Sequence, residues 1–318
     1  MTTDRATTAG ILYGLAAYLW WGLCPVYFKS VAHVPALEVL AHRVVWSLLL
    51  LAVLLGRRGD LTATLQQARQ GRLMLTLTVS AVLVGLNWFV FIWAVANGHL
   101  LEASLGYFIN PLVNVLLGMV VLRERLRPLQ WTSIALATAG VAVMAVKLGG
   151  LPVISLVLAF SFAVYGLLRK TAPIGGMAGL MLETAVLAPV ALAALWWWQR
   201  GGVLVFGHLD RATDLLLVLA GAVTALPLVW FANAARRLRY STVGFLQYVA
   251  PSGQFLLAVF AYAEPFARTR LLAFVLIWIA LAVFSADLWR QRAYSQPRRR
   301  KNASSPPDSP TITSQNSG

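Results

Sequence analysis

Runs of about 20 apolar residues, separated by short clusters of charge, follow one another along almost the whole chain. A helix needs about 20 residues to cross a hydrocarbon layer of about 30 Å. Backbone groups in lipid must bond within their own segment, so each run predicts a membrane-spanning helix. Ten spans are expected, at 9–29, 35–56, 72–96, 102–122, 128–147, 151–170, 177–198, 213–235, 241–262 and 269–289. The fourth and ninth carry Pro111 and Pro251 inside them, and the fifth and sixth nearly touch at a hairpin of 147–151. From 290 the chain turns rich in Pro, Ser and Arg with almost nothing to bury, and a disordered basic tail is expected there.

Composition excludes the soluble alternative. The 318 residues are 59% hydrophobic and 12% charged, and 26 Lys and Arg with 11 Asp and Glu cannot coat so large a core. The net charge of +15 is a topology signal, since cytoplasmic loops gather Lys and Arg. Of the 26 cations, 19 fall on one side of a ten-span plan, six on the other, and Arg43 within the second span. Both termini are therefore expected in the cytoplasm. The first span is too long and aromatic for a removable leader, and no cleavage site follows LYGLAAYLWWG. The bilayer and a small-molecule substrate are the expected partners, with a homodimer left open and no nucleic acid needed. The lone Cys24 and the lack of ligand clusters argue against a metal centre, and no cofactor is expected.

Sliding the chain by 140 residues lays NPLVNVLLGMVVLRERL over APSGQFLLAVFAYAEPF without a gap. Pro111 then meets Pro251, Asn114 meets Gln254, and Glu124 meets Glu264. Five spans per half is an odd number, so the halves must be inverted in the membrane, an arrangement of secondary transporters whose site lies near the midplane. Each proline frees a carbonyl four residues earlier, at Tyr107 and Gln247. Gly106, Asn110, Asn114 and Gly118, spaced by four, put two amides on one stripe. Two readings stay open here: amides bonding neighbouring helices around a kink, or the wall of a solute cavity. In the second, Tyr107, Asn110, Pro111, Asn114, Gln247, Pro251 and Gln254 line the cavity, with Trp20 and Asn87 added from the first and third spans.

Charges within spans form a second set. Glu38, His42 and Arg43 lie on the second span, and Glu183 lies on the seventh, the counterpart of the second under the repeat. Arg43 either pairs with Glu38 or snorkels outward, or else the set serves a solute or a proton. Glu102 is either a favourable carboxylate at the start of the fourth span or part of the same set. Glu124 and Glu264 read as structural. The chain lacks HExxH, paired intramembrane aspartates, G-x-S-x-G and a P-loop, which leaves a membrane-embedded enzyme as the weaker alternative beside a scaffold or sensor.

The twofold repeat, each half ending in a Pro, a helix and a Glu before a short turn, resembles the EamA domain of the drug/metabolite transporter superfamily. AAYLWWGLCPVYFK, EVLAHRVVWS, NWFVFIWAVANGHLLEASLGYFINPLVNVLLG and RLRYSTVGFLQYVAP resemble its RarD branch. The resemblance spans residues 10 to about 290 and is most specific in the first half. It implies an all-α integral membrane protein of two inverted five-helix repeats (9–147 and 151–289), a central cavity, and export or exchange of small organic solutes across a bacterial inner membrane. Members of the branch are often named for chloramphenicol sensitivity, which leaves the physiological substrate open.

Overall fold

Helices with apolar surfaces on most sides must cover one another and lipid, and the chain has few other elements. The computed structural model describes residues 2–96, 99–146, 153–257, 260 and 268–303. Its helices are α1 (Thr2–Ser30), α2 (Ala36–Arg57), α3 (Leu61–Gln67), α4 (Gly71–Ala96), α5 (Leu100–Val120), α6 (Pro128–Val146), α7 (Val153–Thr171), α8 (Gly176–Arg200), α9 (Arg211–Arg237), α10 (Tyr240–Gln247), α11 (Val249–Leu256) and α12 (Arg268–Ala303). Six of them, α1, α2, α4, α7, α8 and α9, are long and apolar enough to cross a membrane, and α5 and α12 carry shorter apolar stretches at 105–120 and 271–287. With α6, and with α10 and α11 taken as one broken span, the ten expected crossings are all present.

The two prolines behave differently. α10 ends at Gln247, four residues before Pro251, where the missing N–H and the ring's clash with that carbonyl stop the helix. α5 runs through Pro111 as one helix, so the matched pair of breaks expected from the repeat is present only in the second half. α12 continues to Ala303, and the first part of the expected tail is therefore helical; Arg, Gln and Ala there are good helix formers. The 147–151 hairpin and Glu264 lie outside the described residues.

Packing between helices obeys the repeat. α1 lies against α9 and the α10–α11 pair, and its counterpart α7 lies against α4 and α5, the counterparts of those. α2 packs on α8, α5 on α10 and α6 on α12, each pair being counterparts of one another. An odd number of spans per half makes this twofold an inversion. On it stand Phe108 and Tyr248, 140 residues apart: the Tyr248 hydroxyl donates to the Phe108 carbonyl at 3.2 Å. The close approach beside them requires Gly244, whose side of α10 sits against α5: an added Cβ would stand 2.7 Å from the Pro111 carbonyl oxygen.

Tyr18 and Trp21 of α1, Phe162 and Tyr165 of α7 and Phe231 of α9 form a continuous ring cluster at the centre, with centroids 5.3 to 6.4 Å apart. Edge and tilted geometries of this kind add stability beyond area burial.

Candidate functional site

The amide stripe of α5 is a seam between helices. Asn110 Nδ2 donates to the Ala159 carbonyl of α7 at 2.5 Å, and Asn114 Nδ2 to Gln247 Oε1 of α10 at 2.9 Å and to Asn110 Oδ1 at 3.3 Å. Asn114 Oδ1 is buried without a protein partner. Gly106 sits against the backbone of Ser155 and Gly118 against Glu124, so both ends of the stripe are closed by packing. Pro111 is buried in the same seam. Gln254 donates to the Trp21 carbonyl of α1, and Asn87 ties α4 to α7 through the Leu158 carbonyl and Ser161 Oγ. Trp20 donates to the Val223 carbonyl and stacks edge-on to Trp230, on the α1–α9 seam. Pro251 is buried at the head of α11. Of this set, Asn110, Asn114 and Gln247 come together, while Gln254 lies with α1. Tyr107 turns toward α4, its ring 5.6 Å from Phe91.

The intramembrane charges also separate. Both oxygens of buried Glu38 accept backbone N–H bonds from Val205 and Phe206, at 2.9 to 3.1 Å, so this carboxylate anchors the loop between α8 and α9. His42 stacks 4.7 Å from Phe206, and its Nδ1 accepts from Trp46 Nε1 at 3.1 Å. That bond fixes the proton of a neutral ring on Nε2, which is 3.9 Å from Glu38 and without a hydrogen-bond partner. Glu183 pairs with Arg169, Nε to Oε1 3.6 Å, and accepts from Ser80 Oγ at 2.5 Å. Arg169 is fully buried and donates to the Gly175 and Gly176 carbonyls. Arg169, at the end of the expected 151–170 span and counted among the 19 cytoplasmic-side cations, is a core residue, because Glu183 on the adjoining helix makes its burial tolerable. The side chain of Glu102 lies outside the described residues.

Arg43 does not pair with Glu38. Seven residues into α2, about 10 Å along the helix at 1.5 Å per residue, its Nε donates to Thr224 Oγ1 of α9 at 2.8 Å. Its guanidinium carbon lies 4.7 Å from the Trp88 ring and 5.5 Å from the Phe28 ring. Cys24, Tyr27 and Tyr107 are within its electrostatic reach, and no carboxylate among the described residues is in ion-pair range. Helices α1, α2, α4, α5 and α9, from both repeats, thus converge on one half-buried cation. A cation lying on ring faces with one hydroxyl can hold an anionic or strongly polar group in an otherwise apolar setting. Sequence reasoning found Arg43 but not its box, since Phe28, Trp88 and Thr224 are ordinary span residues until the fold joins them. A separate cavity of about 390 Å³ is lined by Glu38, Phe89, Trp93 and Trp198 among others, and by none of the residues around Arg43.

Elsewhere, charge serves the helix ends. Glu124 accepts from the backbone N–H groups of Tyr240 and Ser241 and from Ser241 Oγ, capping α10. Lys170 donates to the Ala235 and Leu238 carbonyls and Arg236 to the Ile174 carbonyl, where helix C-termini favour cations. Among the described residues no group of His, Cys, Asp and Glu could hold a metal ion.

Comparison with known proteins agrees with this architecture. The EamA-like transporter family matches residues 8–146. An uncharacterized transporter of Pseudomonas aeruginosa is 48% identical over 91% of this chain and 97% of its own. Protein RarD of Escherichia coli is 48% identical over 92% of this chain and 99% of its own. A solved structure 22% identical superposes with a TM-score of 0.67, covering 86% of this chain and 96% of that one, and shares the fold. With relatives this similar over nearly their whole length, the chain belongs to the EamA-like family of membrane transporters, in its RarD branch.

Proposed function

We propose that the protein is a secondary transporter that moves small organic solutes out of the cell by alternating access, with the solute held at Arg43 in the outer half of the bundle. The observation that carries this reading is the convergence of five helices from two inverted repeats on one cation that has no carboxylate partner among the described residues. A scaffold or sensor has no use for a charge that costs about 2.5 to 3.5 kcal/mol to insert. In this reading the protein lies in a bacterial inner membrane, and the distribution of Lys and Arg supports both termini in the cytoplasm. Where protons drive the movement, Glu183 is the group to carry them: it is buried, its Oε2 lacks a partner, and protonation would release Arg169.

Reconstituted proteoliposomes test this. Counterflow of a labelled solute should be lost in Arg43→Gln while the variant still inserts and elutes as a folded particle. Undiminished counterflow by that variant would remove Arg43 from the transport path.

A further inference from the structure

The two intramembrane arginines are treated in opposite ways. Arg169 has its charge matched inside the protein by Glu183, and its Nη2 donates to two backbone carbonyls, although Nε and Nη1 make no hydrogen bond. Arg43 has one hydroxyl and two ring faces. Its terminal nitrogens have no hydrogen-bond partner among the described residues, yet they are not among the atoms sealed from access, and the residue is only half-buried. With Nε taken by Thr224, the free edge is the one carrying Nη1 and Nη2. That edge presents two parallel N–H groups at the spacing of a carboxylate.

Resting on the transporter reading above, we infer that the solute is a small organic anion whose carboxylate docks on the Nη edge of Arg43, with a flat apolar body against Trp88 and Phe28. A half-buried cation with no counter-charge among the described residues is completed by an external one. The rings supply the plane, and Thr224 keeps the guanidinium from turning away. Among the described residues an amine finds no match at this place: both oxygens of Glu38, the acid on α2, are occupied by the Val205 and Phe206 amides.

Phenylglyoxal modification of Arg43 in the purified full-length protein, followed by peptide mass spectrometry, tests the inference without needing the physiological solute. Three probes share one ring and differ in charge: benzoate, benzamide and benzyltrimethylammonium. Arg43 should react in the folded protein. Benzoate at about ten times its Kd should slow that reaction about tenfold, as occupancy requires, while the neutral and cationic probes leave it unchanged. Equal protection by benzamide, protection by none of the three, or an Arg43 that does not react until unfolding would each overturn the inference. A parallel arm with phosphatidylglycerol in mixed micelles separates a lipid headgroup from a free solute: protection by the lipid alone would overturn it too. If benzoate protects but no solute shows counterflow, the anion site stands and the transporter reading falls. Counterflow of solutes without anion-selective protection gives the reverse.

Discussion

Replacing Glu183 by Gln leaves Arg169 charged, fully buried and without its counter-ion. The separation of 3.6 Å between Arg169 Nε and Glu183 Oε1 corresponds to about 4 to 5 kcal/mol of attraction at an effective dielectric of about 20. Two carbonyls, of Gly175 and Gly176, stay with the guanidinium and offset part of the loss. The expected destabilisation is about 3 kcal/mol, at the low end for breaking a buried pair from one side. Arg169→Met alone strands the carboxylate and should cost a similar amount. The double variant Arg169→Met with Glu183→Leu removes both charges and should recover to within about 1 kcal/mol of the parent, because apolar groups of similar volume replace a buried pair at little cost. Unfolding by SDS in mixed micelles measures all four proteins. Additive single effects, with no recovery in the double variant, would refute the pairing. The same double variant then supplies a folded background on which to ask whether an imposed pH gradient still drives transport, which the single Glu183→Gln cannot answer cleanly.

Impermeant thiol reagents should label a cysteine placed at Gly98, but not one at Gln67, from outside intact cells lacking Cys24; labelling of position 67 alone would invert the topology. Asn114→Leu removes the donor to Gln247 Oε1 and should cost about 1 to 2 kcal/mol of stability with transport KM unchanged; a weakened KM in a fully stable variant would return the amide stripe to the cavity wall. At the start of α9, backbone and side-chain bonds from Thr213 hold the Asp210 carboxyl below the usual carboxylate range. The cap is then fully effective above the unfolded value of about 3.9 and is lost as pH falls through the lower folded value. Hydrogen exchange at the Thr213 amide should rise only in that acid window, and Asp210→Asn should abolish the dependence.

The spans were legible because lipid imposes a length and a composition on every crossing. The repeat was legible because its 140-residue offset is a property of the chain, and Phe108 and Tyr248 realise it in one hydrogen bond. The break at Gln247 was signalled by Pro251, but the same signal at Pro111 leaves α5 continuous, so proline by itself did not tell the two apart. Glu38 was not legible, since its partners are backbone amides 167 and 168 residues away in a loop with no distinguishing sequence. Arg169 was misplaced because a charge near a span end looks the same whether it faces water or a buried acid. Asn110 and Asn114 could be read either as glue or as wall, and only the positions of the Ala159 carbonyl and Gln247 separate the two.

The two halves also differ in how tightly their counterpart seams pack. α2 packs along α9 over a long seam, with Ser47 Oγ donating to the Gly221 carbonyl and Arg43 reaching Thr224. Its counterpart, α8 against α4, is the shorter contact and is held by Ser80 and Glu183. In an inverted repeat, exchanging a tight seam for its loose counterpart produces the oppositely facing state. Gly221 is the residue that lets the tight seam close: a Cβ there would stand 2.5 Å from the Trp46 carbonyl carbon, backbone that cannot step aside. Gly221→Ala should therefore pry α2 from α9 and shift the population toward the other state. Ser47, fully buried in that seam, reports on it when replaced by cysteine. Its reaction with N-ethylmaleimide should be slow in the parent and several-fold faster with Gly221→Ala, since accessibility follows the fraction of molecules in the open arrangement. An unchanged rate in a folded Gly221→Ala protein would show that the seam does not move, and that the asymmetry between the halves is static.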